Sequence, residues 1–280
     1  MHKALHRVAG LCLALLGGAA QAAAIGSGLF GIGAHILGTV KPGDVEEVRT
    51  ELAGPMKTPL SIDIDPRSHP VELMKIGLWL RERQPLLKLK GSCVGNCARS
   101  ILLAARVQAI QPGTVIAFGG RTEVPARLKD QIDAGEFFTD DDERSRRSRE
   151  TFLKSFETPI QQSLALRSLL AQQVQLPAQV QAFVDSVVAS WRVDRLSYID
   201  DEAKFSLKAG RHRCMWWVPD AQGLRQLGLD VPDYQPVDRT AAARLLKTPE
   251  AFIYVGPALE TLPEQSLCEG QKNFSFPLLP

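Results

Sequence analysis

The sequence predicts an α/β protein: a core of parallel strands and covering helices, then a helical and a mixed α/β extension. Three observations carry that expectation. Residues 34–120 alternate short apolar, β-prone runs with stretches whose apolar residues fall at helical spacing. Whole helices separate those runs instead of tight hairpin turns, which is how parallel strands are joined. From residue 124 to about 191 the spacing is helical only, so the alternation stops there. With 280 residues, 45% hydrophobic and 23% charged, the chain has a globular composition and length for one large or two modest domains.

Each element of the core has a local reason. Residues 35–40 (HILGTV) are a short strand, ended by Lys41-Pro-Gly43. Asp44 and Glu47 stand three apart, a capping box that opens a helix to about Leu52. Residues 59–65 (PLSIDID) alternate with period two, as a strand does. Residues 71–83 place Leu73, Ile76, Gly77 and Leu80 at helical intervals, and Pro85 then introduces a third strand over 86–90. A tight turn is expected at 91–96, an Ala- and Leu-rich helix at 97–107, and a fourth strand at 114–118 before Gly119-Gly120. That order predicts a parallel sheet, giving a core at 34–123.

The region 124–200 reads as helical. Thr139 with Asp140, Asp141 and Asp142 caps a helix whose next turns carry Arg144, Arg146, Arg147 and Arg149. Acid first and base later complements the helix dipole, so this charge run is a solvated face. Phe152, Phe156, Leu164, Leu169 and Leu170 mark a long helix, bent or broken near Pro159. Pro177 separates a second helix, with Val180, Phe183, Val184 and Val187 on one face. The mixed region 201–280 holds an extended run at 214–218, helices from about Asp220 and at 239–246, and a strand at 252–255. The tail from Asn273 reads as loosely held.

Residues 1–22 read as a secretory signal peptide. His2, Lys3, His6 and Arg7 are the basic end, 8–16 the apolar stretch, and Ala20-Gln21-Ala22 the cleavage site, with Ala24 as second choice. Four glycines between 26 and 33 argue against an uncleaved anchor, and no later segment is apolar enough to span a bilayer. The expected location is the periplasm, with secretion as the wider possibility. Removing Lys3 and Arg7 from the 33 basic residues leaves 31 against 31 acidic ones. A neutral mature chain argues against a general nucleic-acid or anionic-membrane binder.

Cys93, Cys97, Cys214 and Cys268 remain beyond the leader, an even number that favours two disulfides in an exported chain. Three connectivities exist. The preferred one joins Cys93 to Cys97 and Cys214 to Cys268, contributing about 2 and about 4 kcal/mol in the loop-entropy model. No CxxC and no spaced His pair supports zinc, and redox pairs normally have CxxC spacing. No phosphate-binding loop or dinucleotide fingerprint occurs, so no metal and no cofactor is expected.

Three blocks carry a family resemblance: ILGTVKPGDVEEVRTEL (36–52), LSIDIDPRS (60–68) and GSCVGNCARSILLAARVQAIQPGTVIAFGG (91–120). In this order they resemble the Clp-protease-like branch of the crotonase superfold, in particular its exported bacterial members. The first looks like that family's opening strand, turn and helix. The second sits where the family has a strand ending in a Gly-Gly-containing oxyanion turn. The third looks like the nucleophile helix and the strand bearing the catalytic His. The likeness covers about a third of the chain, and CMWWVPDAQGLRQLGL (214–229) also looks similar to exported relatives.

The departures fall on the chemistry. Gly95 stands where the resemblance implies the serine between two cysteines, and Gly119 where it implies the base. Arg67-Ser68 replaces the Gly-Gly turn. The resemblance therefore implies a cleft at Asp65, Arg67, Ser68, Gly95 and Asn96 without the catalytic groups. A relocated site would draw on Ser92, Ser100 and His69, or on His212 with Asp200 or Asp201. Their ordinary readings are a turn hydroxyl for Ser92, a surface or back-bonded helix serine for Ser100, and a loop residue for His69.

Asp44, Asp63 and Asp65 suggest a metal site, but a solvated Asp63 and an Asp-Pro turn at Asp65 are the stronger reading. Trp216, Trp217 and Tyr234 suggest an aromatic platform, although adjacent strand residues face opposite ways. The expected function is a catalytically degenerate peptide- or protein-binding or scaffolding module of the cell envelope, able to self-associate as the resemblance implies. The competing expectation is a periplasmic serine hydrolase with relocated catalytic residues, and a third is a secreted factor whose helical region binds a partner.

Overall fold

The computed structural model describes residues 23–26, 33–56, 58–120, 143–190, 195–199, 204–208, 215–261, 263 and 274–275. The expected leader, the cap at 139–142, Cys214, Cys268, His212, Asp200 and Asp201 lie outside the described residues. The chain is α/β. Strand β1 (Ala24–Gly26) lies antiparallel on β2 (His35–Gly38), and β2, β3 (Leu60–Ile64), β4 (Leu86–Leu89) and β6 (Arg106–Ile110) follow in parallel. Helices α1 (Asp44–Glu51) and α2 (Pro70–Arg83) make the first two crossovers. One face of this sheet is closed: Leu60, Ile62, Ile64, Leu87 and Leu89 are buried, whereas Ser61 and Asp63 are half-covered and Leu86 and Lys88 exposed.

A second layer leaves the first at Gly91. Its φ of +63° and the Asp63 carboxylate packed against it admit no Cβ. The chain turns there into β5 (Ser92–Val94), which pairs in parallel with β7 (Val115–Ala117). Phe118 exchanges two backbone hydrogen bonds with Trp217, of 2.8 and 2.9 Å, and so joins β7 to β10 (Trp216–Pro219). Strand β11 (Ile253–Gly256) runs parallel to β10. A six-residue π-type helix, Cys97–Leu102, follows β5 and packs on α2, where Gly77 leaves room for the Ser100 carbonyl.

Helix α3 (Glu143–Gln173) packs against α2, with Leu170 buried against Val71 and Met74. Helix α4 (Ala178–Ala189) buries Val180, Phe183, Val184, Val187 and Val188 in the main core. The Ser190 hydroxyl accepts the Met215 amide at 3.0 Å and ties α4 to β10. Two short helices, α5 (Ala221–Gln226) and α6 (Arg239–Leu246), start on Asp220 and Asp238, whose carboxylates accept amides of Gly223 and Ala241. A hairpin of β8 (Arg195–Ile199) and β9 (Lys204–Lys208) is extended by β12 (Phe274–Ser275).

Several local expectations are corrected. Gly43, in the left-handed region, is the α1 N-cap, and Asp44 turns back to accept the Lys41 amide at 2.7 Å, so no capping box forms. Half of the expected 91–96 turn is strand β5, and the expected helix at 97–107 stops at Leu102. Its end is β6, an edge strand of the main sheet. Helix α3 runs through Pro159 without a break, since a missing amide removes one bond while the flanking turns keep theirs. Strand β8 stands inside the stretch read as helical. Phe274 and Ser275, read as part of a loose tail, pair with Leu207 and Ser206.

Candidate functional site

The sequence-predicted residues gather at the carboxyl ends of β3 and β4, the place where parallel sheets usually offer a binding crevice. The turn after β3 is closed by its own groups. Asp65 takes the Arg67 amide at 2.8 Å and the Arg67 guanidinium at 2.9 and 2.7 Å on its two carboxylate oxygens. Its carbonyl accepts the Ser68 amide at 3.0 Å, and the His69 amide donates to Val40 at 2.8 Å. Ser68, buried, accepts the Val40 amide on its hydroxyl at 3.0 Å. The turn is the expected Asp-Pro turn, with each amide of residues 67–69 engaged.

The facing loop is closed in the same way. The Ser92 amide donates to the Asp63 carboxylate at 3.0 Å, so Asp63 is a structural acceptor and not a solvated side chain. The Ser92 hydroxyl gives its one proton to the Ile64 carbonyl at 2.9 Å. Cys93 and Cys97 form a disulfide, both fully buried, around a turn in which Gly95 has φ +59° and donates its amide to Ala117 at 2.8 Å. Asn96, nearly buried, heads the π helix, and its side-chain oxygen has no hydrogen-bond partner among the described residues.

His69 ends the loop before α2, as expected, and stands at the N-cap of that helix. Its Nδ1 caps α2 by accepting the Glu72 amide at 3.4 Å, and Nε2 is buried without a partner among the described residues. Burial pushes this imidazole below its usual value; the Glu72 carboxylate opposes that shift and the Lys75 ammonium adds to it. The side-chain hydrogen bond from Arg67 holds the Asp65 carboxyl below the usual range against a smaller opposing effect of burial. Lys247, at the end of α6, adds to the lowering of Asp65. Nothing local in the sequence ties Lys247 to Asp65.

Ser100 is buried and separate in role. It lines a half-open cleft of about 820 Å³ between the π helix, the end of α3 and α4. Ser92, Ser100 and His69 therefore have three different settings, and the Ser92 hydroxyl is bonded to a carbonyl and not to His69. Gly119 and Gly120 both have positive φ, and the Trp216 ring occupies the place of a Gly120 side chain. The aromatic platform is internal. Trp217 sits 5.1 Å from the Phe118 and Phe183 rings, Trp216 is buried against the second sheet, and the Tyr234 hydroxyl donates to Pro219. No cluster of His, Cys, Asp and Glu suited to a metal occurs among the described residues. None of their helices is long and apolar enough to cross a membrane.

No protein-family model matches the chain, and no curated protein or solved structure is significantly similar to it.

Proposed function

We propose that the chain is an exported, catalytically degenerate protein of the Clp-protease-like branch of the crotonase superfold, serving as a peptide- or protein-binding or scaffolding module in the periplasm. One observation supports this above others. The amides of Arg67, Ser68, His69 and Gly95, and the hydroxyl of Ser92, are all engaged within the protein, by Asp65, Val40, Ala117 and Ile64. An oxyanion hole needs donors aimed at the reacting oxygen, and a nucleophile needs its proton directed to a base. Here those donors hold the turn together. The alternation of parallel strands and helices across 35–117 agrees with the same reading.

Fluorophosphonate labelling of the oxidised protein, against a heat-denatured control, tests the proposal. The expected result is no labelling above the control, together with co-elution of the native protein with a reduced, unfolded polypeptide in gel filtration. An adduct mapped to one serine and lost in Ser92→Ala or Ser100→Ala overturns it in favour of a hydrolase. Absence of polypeptide binding overturns the binding half.

A further inference from the structure

We propose that the cleft between the π helix, α3 and α4 is a binding site for a single-chain anionic amphiphile, a long-chain carboxylate. It goes beyond the peptide-binding reading and does not depend on it. The floor is aliphatic: Leu103, Leu170, Val184 and Val188 line it. At its wall stand Arg99, from the π helix, and Arg167, from α3, both half-buried, against one acid, Asp185. Both arginines also interact within the protein. A guanidinium has five donors in a fixed fork, so holding one partner leaves others for a carboxylate.

The volume, about 820 Å³, falls within the usual range for small-molecule sites, roughly 300–1,000 Å³. A neighbouring cleft of about 570 Å³ shares Leu103, Val174, Gln175 and Leu176 with it; its wall is mainly polar, so the apolar tail belongs to the first cleft. That second cleft carries Arg81 and Arg106 against Asp230, so the whole groove is cationic while the chain is close to neutral. The walls of the first cleft are helical turns and the short link between α3 and α4. Helical backbone has its amides and carbonyls engaged internally, so recognition falls to side chains. Aliphatic side chains with two guanidinium groups recognise an anionic head and an apolar tail, and Ser100, Gln175 and Gln181 add neutral polar groups to the same lining.

Titration with cis-parinarate, a fluorescent long-chain carboxylate, tests this on the folded, oxidised protein. Saturable one-to-one binding is expected, with oleate displacing the probe and the corresponding neutral alcohol displacing it at least about tenfold less well. Arg167→Gln should weaken binding about tenfold, the loss of one charge-assisted contact. Ala171→Trp fills the cleft from an exposed lining position and should abolish saturation, with far-ultraviolet circular dichroism confirming the fold. Non-saturating uptake overturns the assignment, as does equal displacement by the alcohol or unchanged affinity in Ala171→Trp. A dimer that dissociates in Ala171→Trp, with no probe binding to the parent, would assign the groove to a second copy instead.

Discussion

The strand-end turns and the helical cleft are two concave regions of one molecule built on opposite principles. At residues 65–69 and 92–97 the polar groups are mostly backbone amides and carbonyls, engaged by the Asp63 and Asp65 carboxylates and by carbonyls of Val40, Asp65 and Ala117. At the cleft most of the backbone is closed within helices, and what lines it is a mixture of aliphatic, amide and charged side chains. A turn whose donors are internally engaged is rigid and chemically quiet. A cleft walled by side chains from three helices presents side-chain groups instead of backbone ones. The difference teaches where to look for ligands in this protein, and it can be broken from either side.

The largest effect is expected at the joint that both regions share. Trp217→Ala removes a fully buried ring, its contacts with Phe118 and Phe183, and a 2.8 Å hydrogen bond to the Gly256 carbonyl. A loss of about 3–5 kcal/mol is expected in urea denaturation, enough to unfold a marginal domain. Next comes the disulfide. Replacing Cys93 and Cys97 together by alanine should cost about 2 kcal/mol, read as a lower Tm that reductant no longer changes. A parent protein whose stability is indifferent to reductant would show that hydrogen bonds alone hold the turn.

A smaller, pH-dependent effect is expected at His69. Its Nδ1 must be unprotonated to accept the Glu72 amide, and burial holds its folded value below the ordinary 6.5 of an imidazole. The stabilisation is therefore complete above pH 6.5 and is lost as pH falls through the lower folded value. His69→Ser keeps a cap acceptor without that titration, and should flatten that dependence when stability is measured by denaturation between neutral and mildly acidic pH. The Asp65 carboxyl, held low by Arg67, loses its contribution only below the ordinary carboxyl value of 3.8, so the two windows separate. The smallest effect belongs to the cleft. Ala171→Trp should change stability by no more than about 0.5 kcal/mol, since the position is exposed. A large loss there would mean that the cleft is packed core and not a site.

How much of this was legible in the sequence differs from element to element. The Asp65-Pro66 turn needs only residues 65–68, so its local chemistry is readable from four letters. Helix α2 has its pattern and Pro70 at its start within fourteen residues, and it forms within a residue of the expected place. Cys93 and Cys97 are four apart and meet by geometry. Strand β5 is different: three residues have no periodicity to detect, and they become strand because β7 lies beside them. The Arg106–Ile110 run was hidden by the Ala- and Leu-rich segment before it, and only pairing with β4 decides its state. Lys247 reaches Asp65 across most of the chain, and the cleft is assembled from segments that share no motif.

By itself, then, the sequence determined the α/β class, the parallel β2–β3–β4 order, the helices α2, α4 and α6, and the closed turn at Asp65. Those follow from interactions within a few residues, where propensity, periodicity and capping act. Tertiary structure alone decided that Gly91 turns the chain into a second sheet and that Trp216 and Trp217 are buried. It also decided that three helices leave an aliphatic cleft with guanidinium groups at its wall. The physical reason is that these depend on which distant surfaces exclude water from one another, a free energy that no short window of residues contains.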